Sequence, residues 1–296
     1  MRVTQSMLAG NMLRNIGQSY GRLGELQNQL YSNRKISKPS QDPVVAMKGI
    51  AYRESLAEIK QFQKNVSHAQ SWLDNTDTSL AHADNAMKRI RDLVVQANNG
   101  PVSAGDQAKI EKEVAELRED LIDIANTQFG GRYIFNGTNT ETPPIDESRP
   151  AGGDPPPYMT GQQPYEVEVS KGVKIDISTK AEDLFNEDLF NMLDDLKAAL
   201  SDTENSDMDG MLDKIDNYLG DLTAERAEVG ARTNRVDLVK DRMDSQHLFA
   251  TEVLSKNEDA DIEKVITELK MQETVHRAAL SVGARIMQPS LMDFLR

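Results

Sequence analysis

Between residues 54 and 98 the sequence repeats every seven residues. Ile59, Val66, Leu73, Leu80, Met87 and Val94 form one row, and Phe62, Ala69, Thr76, Ala83, Ile90 and Ala97 follow them by three. An unbroken double row at this spacing is the seam of a coiled-coil helix, because 3.5 residues per turn keep both rows on one side. The pattern stops at Asn98-Asn99-Gly100-Pro101, where Gly suits a helix C-cap and Pro cannot continue the ladder. Ser103-Ala104-Gly105-Asp106 then opens a second helix with a capping-box pattern, carrying Ile110, Val114, Leu117, Leu121 and Ile124. So short a connection predicts an antiparallel hairpin. A third long helix shows Met208, Ile215, Leu222, Val229, Val236 and Met243 seven apart, with Arg226 and Thr233 weakening its companion row. These segments predict a rod-like bundle.

Both ends of the chain read as amphipathic helices that must bury their stripes on each other or on other copies. Leu13, Ile16, Tyr20, Leu23 and Leu30 mark the front stripe, interrupted by Gln27, and Ile262, Val265, Leu269, Ala279 and Ile286 mark the back one. The sequence then runs to Leu291, Met292, Phe294 and Leu295, an apolar end where polar residues are the norm. Between the halves lies a Pro/Gly-rich stretch with Pro143-Pro144 and Pro155-Pro156-Pro157, which reads as loop. Tyr165–Val169 and Val173–Ile177, joined by Ser170-Lys171-Gly172, alternate as a hairpin too small to stand alone. A helix from about Asp183 to Leu200, with Leu189, Leu193, Leu196 and Leu200 on one face, leads back into the bundle.

With 38% hydrophobic and 28% charged residues, thin helical layers are favoured over one large core. A net charge of −14 argues against nucleic acid as partner, and no stretch approaches the 18 apolar residues of a membrane span. Charge is unevenly placed. Residues 1–60 carry nine basic side chains against Glu25, Asp42, Glu54 and Glu58, whereas residues 181–225 carry fourteen acidic ones against Lys197 and Lys214. Cysteine is absent, which excludes disulfides, zinc–thiolate sites and cysteine catalysis. The start, Met1-Arg2-Val3-Thr4-Gln5-Ser6, lacks the apolar run of a secretory signal, so export would need another route.

Motifs that carry chemistry are weak. Asn205–Asp216 approximates an EF-hand calcium loop, but Asn205 stands where the first Asp belongs and Asp216 replaces the bidentate Glu. Met208 and Ile215 also fit the helix seam, so an acidic helix start is the better reading. His68, His82 and His247 read as solvated helix positions and His276 as a tolerated seam position; none forms an i, i+4 metal pair. There is no phosphate-binding Gly-rich loop and no nucleophile elbow, and neither a metal, a cofactor nor an enzymatic activity has support.

Gln29–Pro43 (QLYSNRKISKPSQDP), a helix end followed by a basic turn containing Ile and an Asp-Pro step, is similar to the N-terminal pattern of the flagellin-type proteins of the bacterial flagellum, in which the step is Asp-Pro or Asp-Asp. Val229-Gly230-Ala231-Arg232-Thr233-Asn234-Arg235 resembles their C-terminal "LGA…NR" segment, and Asp259-Ala260-Asp261 opens a similar last helix. Phe129–Thr138 (FGGRYIFNGT) and the Asp42-Pro43 step look like the hook-associated branch, whose members carry a "DGRYLFSGT"-like run. Gly130 replaces the usual acidic residue, and Ser32-Asn33 stands in place of "SSG", so flagellin itself is the alternative.

The resemblance implies a mainly α fold: an elongated helical bundle built from paired N- and C-terminal halves, with a small β-containing central insertion. Its divisions would be a polymerisation domain (1–42 and 258–296), a helical rod (43–137 and 182–257) and the insertion (138–181). Rod-core positions are Ile59, Val66, Leu73, Leu80, Met87, Val94, Ile215, Leu222, Val229 and Val236. Assembly positions are Leu13, Ile16, Leu23, Leu30, Leu269, Leu280, Ile286, Leu291, Phe294 and Leu295. Also implied are self-association in a ring or tube, a hook-side hook-associated protein and flagellin as neighbours, an export chaperone, and an extracellular place in the flagellum reached by the flagellar type III route. A soluble coiled-coil scaffold is the competing class; it would lack the Asp-Pro and "GARTNR" motifs.

Overall fold

A computed structural model describes residues 5–98, 104–148, 158, 163–179, 181–201 and 208–287. In chain order it contains α1 (Gln5–Ser32), α2 (Pro43–Asn98), α3 (Ala104–Ala125), β1 (Gln128–Phe129), β2 (Arg132–Tyr133), β3 (Glu166–Ser170), β4 (Val173–Asp176), α4 (Ala181–Leu184), α5 (Glu187–Ser201), α6 (Met208–Glu258) and α7 (Ile262–Met287). The fold is mainly α, with two small antiparallel hairpins, β1–β2 and β3–β4. Contacts divide the chain into two compact units. One comprises Met1–Glu58 with Gln246–Arg296, the other Ile59–Ser245, and α2 and α6 contribute to both.

In the second unit, α2 and α6 run antiparallel, as a ladder of polar contacts shows. Gln63 donates to Asp244 (2.7 Å), Gln70 to Asp237 (3.0 Å), Arg226 to Asp77 (3.1 Å) and Arg91 to Asp216 (2.6 Å). Between them lies the seam: Val66, Leu73, Leu80, Met87 and Val94 of α2 and Ile215, Leu222, Val229 and Val236 of α6 are buried. Ile59 is half-buried. Each fully buried large apolar side chain contributes about 1.5–3 kcal/mol. Arg226 leaves the companion row of α6 to reach Asp77, and Thr233 turns its hydroxyl back on the Val229 carbonyl (3.0 Å).

α2 buries a wider stripe than a two-helix seam requires. Trp72, Ser79 and Leu93 are buried and Ala86 half-buried, a third row at the same spacing of seven. A helix with neighbours on two sides needs such a wider face. Trp72 meets Tyr165 (ring centroids 5.1 Å apart) and Phe129 (6.2 Å, edge-on), while exposed His68 lies against Trp72 (5.9 Å) and Phe129 (6.2 Å). α3 packs against α5. Arg118 joins them, reaching Asp194 (3.0 Å) and Glu147 (2.5 Å) while lying over the Phe190 ring.

The structure differs from the sequence-based expectation at three places. The segment after Ala125 contains the hairpin β1–β2, whose two-residue turn, Gly130-Gly131, has φ of +59° and +79°. Two consecutive positive-φ residues are what a tight hairpin turn demands, and Gly adopts them without strain. The helix expected from Asp183 begins instead at Glu187. Asn186 accepts a hydrogen bond from the Leu189 N–H (2.9 Å) as N-cap, which separates α5 from the single turn of α4. The β3–β4 pairing runs from Glu166 to Ser170 with an irregularity after Glu168, and Tyr165 lies before the strand.

Motif residues of the resemblance turn out to hold this unit together. Ile134 and Phe135 are fully buried, Phe135 meets Phe185 edge-on at 5.2 Å, and buried Asn136 donates to the Thr142 carbonyl (2.9 Å). Arg232 donates to the Ser178 carbonyl and lies 3.8 Å from Asp176, fixing the end of the β3–β4 hairpin to α6.

Candidate assembly interface

In the first unit the two terminal helices pair antiparallel. Buried Ser19 accepts from Gln272 (3.0 Å) and contacts His276 Nδ1 (3.1 Å), and Tyr20 lies 6.1 Å from the His276 ring. Gly283 approaches Met12 and Ile16 so closely that a Cβ there would sit 3.2 Å from the Met12 methyl. Positions withdrawn from solvent on α1 include Ala9, Met12, Ile16, Ser19, Leu23, Leu26 and Leu30, with Gly24 and Gln29 beside this stripe. On α7 they include Ile262, Val265, Leu269, Gln272, His276, Ala279 and Gly283, with Glu268 and Glu273 beside it. Both sets alternate steps of three and four, so this is a coiled-coil seam with a polar layer of Ser19, Gln272 and His276.

This placement revises the front stripe. Leu13 and Tyr20 are 57% and 72% exposed, because the companion row is Met12, Ser19 and Leu26, one residue earlier. Apolar side chains alone favoured the later row, since Ser19 is polar and Tyr20 is not. The structure thus brings Ile16, Leu23, Leu30 and Leu269 toward the α1–α7 seam and leaves Leu13 and Leu280 outward. Ile286 belongs to α7, and Leu291, Phe294 and Leu295 lie outside the described residues. Met7, Leu8 and Tyr31 on α1, and Met271, Val275 and Val282 on α7, are also exposed. Outward apolar side chains on two helices already paired with each other suit protein contact.

A clamp joins the two turns that connect these helices to α2 and α6. α1 ends at Ser32, and Asn33 takes φ +55°, the left-handed C-cap conformation that Gly adopts freely and Asn tolerates. That is why Asn can stand where the related motif has Gly. The Asn33 carbonyl accepts from Ala260 N–H (2.9 Å), and Lys35 N–H donates to the Glu258 carbonyl (2.7 Å). The Lys35 ammonium reaches the Lys256 carbonyl. Asp42 caps α2 by accepting from the N–H groups of Val44 (2.9 Å) and Val45 (3.0 Å), and Pro43 takes the first helical position, where no N–H is needed. The Asp-Pro step is therefore a helix start. Buried Glu258 pairs with Arg53 (2.9 Å) and packs on Gly49, where a Cβ would sit 2.2 Å from Glu258 Oε1.

The calcium-like loop ends on a residue with a structural partner. Asp216, the last position of the calcium-like loop, is bonded to Arg91, and that hydrogen bond holds its carboxyl below the usual range. Ser206 and its neighbours 202–207 lie outside the described residues. Among the described residues, no group of three His, Cys, Asp or Glu is placed to hold a metal ion, and no helix is long and apolar enough to cross a membrane.

The N-terminal helical region of bacterial flagellin matches residues 3–140, and the C-terminal helical region of bacterial flagellin matches residues 212–295. The chain belongs to the flagellin family and is a structural subunit of the bacterial flagellum. Within that family it is similar over nearly its whole length to flagellar hook-associated protein 3 of Escherichia coli, at 25% identity over 94% of this chain and 95% of that one. It is likewise similar to flagellar hook-associated protein 3 of Salmonella typhimurium, at 24% identity over 100% of both. The crystal structure of Bacillus cereus FlgL shares its fold: TM-score 0.59, 23% identity, with 69% of this chain and 99% of that chain covered.

Proposed function

We propose that this chain is the junction adaptor of the flagellum, joining the hook-side hook-associated protein to the flagellin filament. The observation that carries the reading is the pair of terminal helices, which satisfy one seam between themselves yet keep apolar rows outward. Full-length similarity at 24–25% identity to proteins named hook-associated, above the 22–23% to full-length flagellins, supports the junction over the filament itself. In this proposal residues 1–42 and 258–296 are the polymerisation domain. Leu13, Leu280, Leu291, Phe294 and Leu295 contact neighbouring copies in a ring or tube, and Ile16, Leu23, Leu30, Leu269 and Ile286 keep the helices paired. The role is mechanical, not catalytic. Export proceeds unfolded through the flagellar type III route, with a chaperone shielding the apolar terminal segments beforehand; the absence of cysteine suits a chain that must travel unfolded.

The test is a double substitution on the outward rows, Leu13→Asp with Leu280→Asp. Neither side chain is in the seam, so the secreted variant should melt like the parent while hooks carrying it fail to hold filaments. Normal swimming with normal filament length would remove these rows from the interface.

A further inference from the structure

We infer that a pocket beside the α1–α2 turn receives the apolar segment Leu291–Leu295 of a second copy of this chain, displaced along the α1–α7 pair. The pocket has a volume of about 190 Å³ and is lined by Ile36, Pro39, Val45 and Ile50 together with the cationic Arg34 and Lys38. That is the space of about six waters, enough for one large side chain. Arg53, also in its wall, is paired with buried Glu258 (2.9 Å), whereas among the described residues Arg34 and Lys38 make no ion pair. The apolar surface continues outside the pocket. Val44, Met47 and Ile50, all exposed, stand three residues apart on α2, where neighbours at that spacing share a face.

Charge, sequence and reach select the occupant. Free cations beside an apolar pocket suit a segment that sets a carboxylate among apolar side chains. Leu291-Met292-Asp293-Phe294-Leu295 has that composition, with Asp293 between Met292 and Phe294. Phe294 fills the pocket, and Asp293 meets Arg34 and Lys38.

A chain cannot place this segment in its own pocket. Arg34 follows the end of α1 and Glu258 precedes the start of α7, so the pocket lies at the end of the pair where α7 begins. From there α7 leads away for 26 residues, about 39 Å. Phe294 is seven residues beyond Met287, at most roughly 25 Å of extended chain, so it cannot return. Each copy therefore offers a tail at one end of the pair and a pocket at the other. Such a head-to-tail contact links copies along the pair instead of closing a two-fold dimer. This rests on the terminal pair being the polymer interface, and adds to its outward rows the surface that accepts the last segment.

Fluorescence anisotropy provides the test, with a dye-labelled peptide of residues 288–296 titrated with the full chain at low salt. Binding should saturate. A peptide with Phe294→Ser and Leu295→Ser should bind about tenfold more weakly or worse, having lost two large apolar side chains. Ile50→Asp, at an exposed position, should weaken binding of the parent peptide by a similar factor while circular dichroism shows the helical content of the parent chain. Arg34→Glu with Lys38→Glu should weaken it too, and a peptide carrying Asp293→Lys should bind this charge-reversed chain more tightly than the parent peptide does. Failure to saturate, equal binding of the Ser peptide, unchanged binding by the Ile50→Asp chain, or no preference of the charge-reversed chain for the Lys peptide would each overturn the inference. Any of these would leave the outward Leu13 and Leu280 rows standing, since neither residue lines the pocket and their role is read separately, from filaments on cells.

Discussion

Replacing Leu80 by Ala removes three carbons at a point where the chain has no slack. Leu80 is fully buried in the α2 seam, with Leu73 and Met87 buried one heptad to either side. Truncating a buried Leu costs the lost transfer energy plus that of the cavity left behind, about 2–5 kcal/mol in all. For a chain of this size each kcal/mol lowers the melting temperature by about 2–4 °C, so Leu80→Ala should melt roughly 5–15 °C below the parent. Leu80→Asp adds an unpaired carboxylate and should leave no cooperative transition at all. His68→Ala is the control. That side chain is exposed and lies over buried Trp72 and half-buried Phe129, so its loss should cost about 1 kcal/mol or less. Circular dichroism melts of the three variants decide the matter. A Leu80→Ala protein melting with the parent would show that this row is not the core of the α2–α6 pair.

Four further outcomes are expected. Hydrogen exchange on the isolated subunit should be fastest in residues 5–32 and 262–287 and slowest in 66–94, because the terminal pair has one thin seam while the bundle is buried on several sides; equal protection would refute that ranking. Ser19→Ala should destabilise the α1–α7 pair by about 1 kcal/mol, read as faster exchange in α1 and α7 but not in the bundle, since Gln272 and His276 lose their shared partner. Arg232→Ala should expose the β3–β4 hairpin to limited proteolysis while the helical melt moves little; unchanged cleavage would mean its bond to Ser178 is incidental. Asp42→Ala should cost about 1 kcal/mol in the first unit by uncapping α2, and Asp42→Asn should restore most of it.

The long helices were legible because their seams repeat at seven over many turns, and a signal that long survives one or two substituted positions. What escaped was governed by partners distant in sequence. Trp72 lies outside the a and d rows and is buried only because Phe129 and Tyr165 come from elsewhere to cover it. Ser19 reads as a surface residue until Gln272 and His276 are seen to satisfy it. The Gly130-Gly131 turn was present in the sequence as a two-glycine step, but flanking strands of two residues are too short for alternation to register. On the interface, Ile16, Leu23 and Leu30 stood out because they are apolar and evenly spaced, whereas the Met12 row was hidden by Ser19 and by Leu13 and Tyr20 beside it. The basic turn was recognisable as a motif; its work, pinning the α1–α2 turn to the Glu258 backbone, was visible only once residues some 220 positions apart were adjacent.

The central claim is tested most directly by deleting the gene and imaging the cells by electron microscopy, with the culture medium assayed for flagellin. The account predicts hooks without filaments and unassembled flagellin shed into the medium, with filaments restored by the parent gene. Full-length filaments on the deletion strain would contradict it, and loss of flagellin itself from the medium would place the chain in the filament and not at its base.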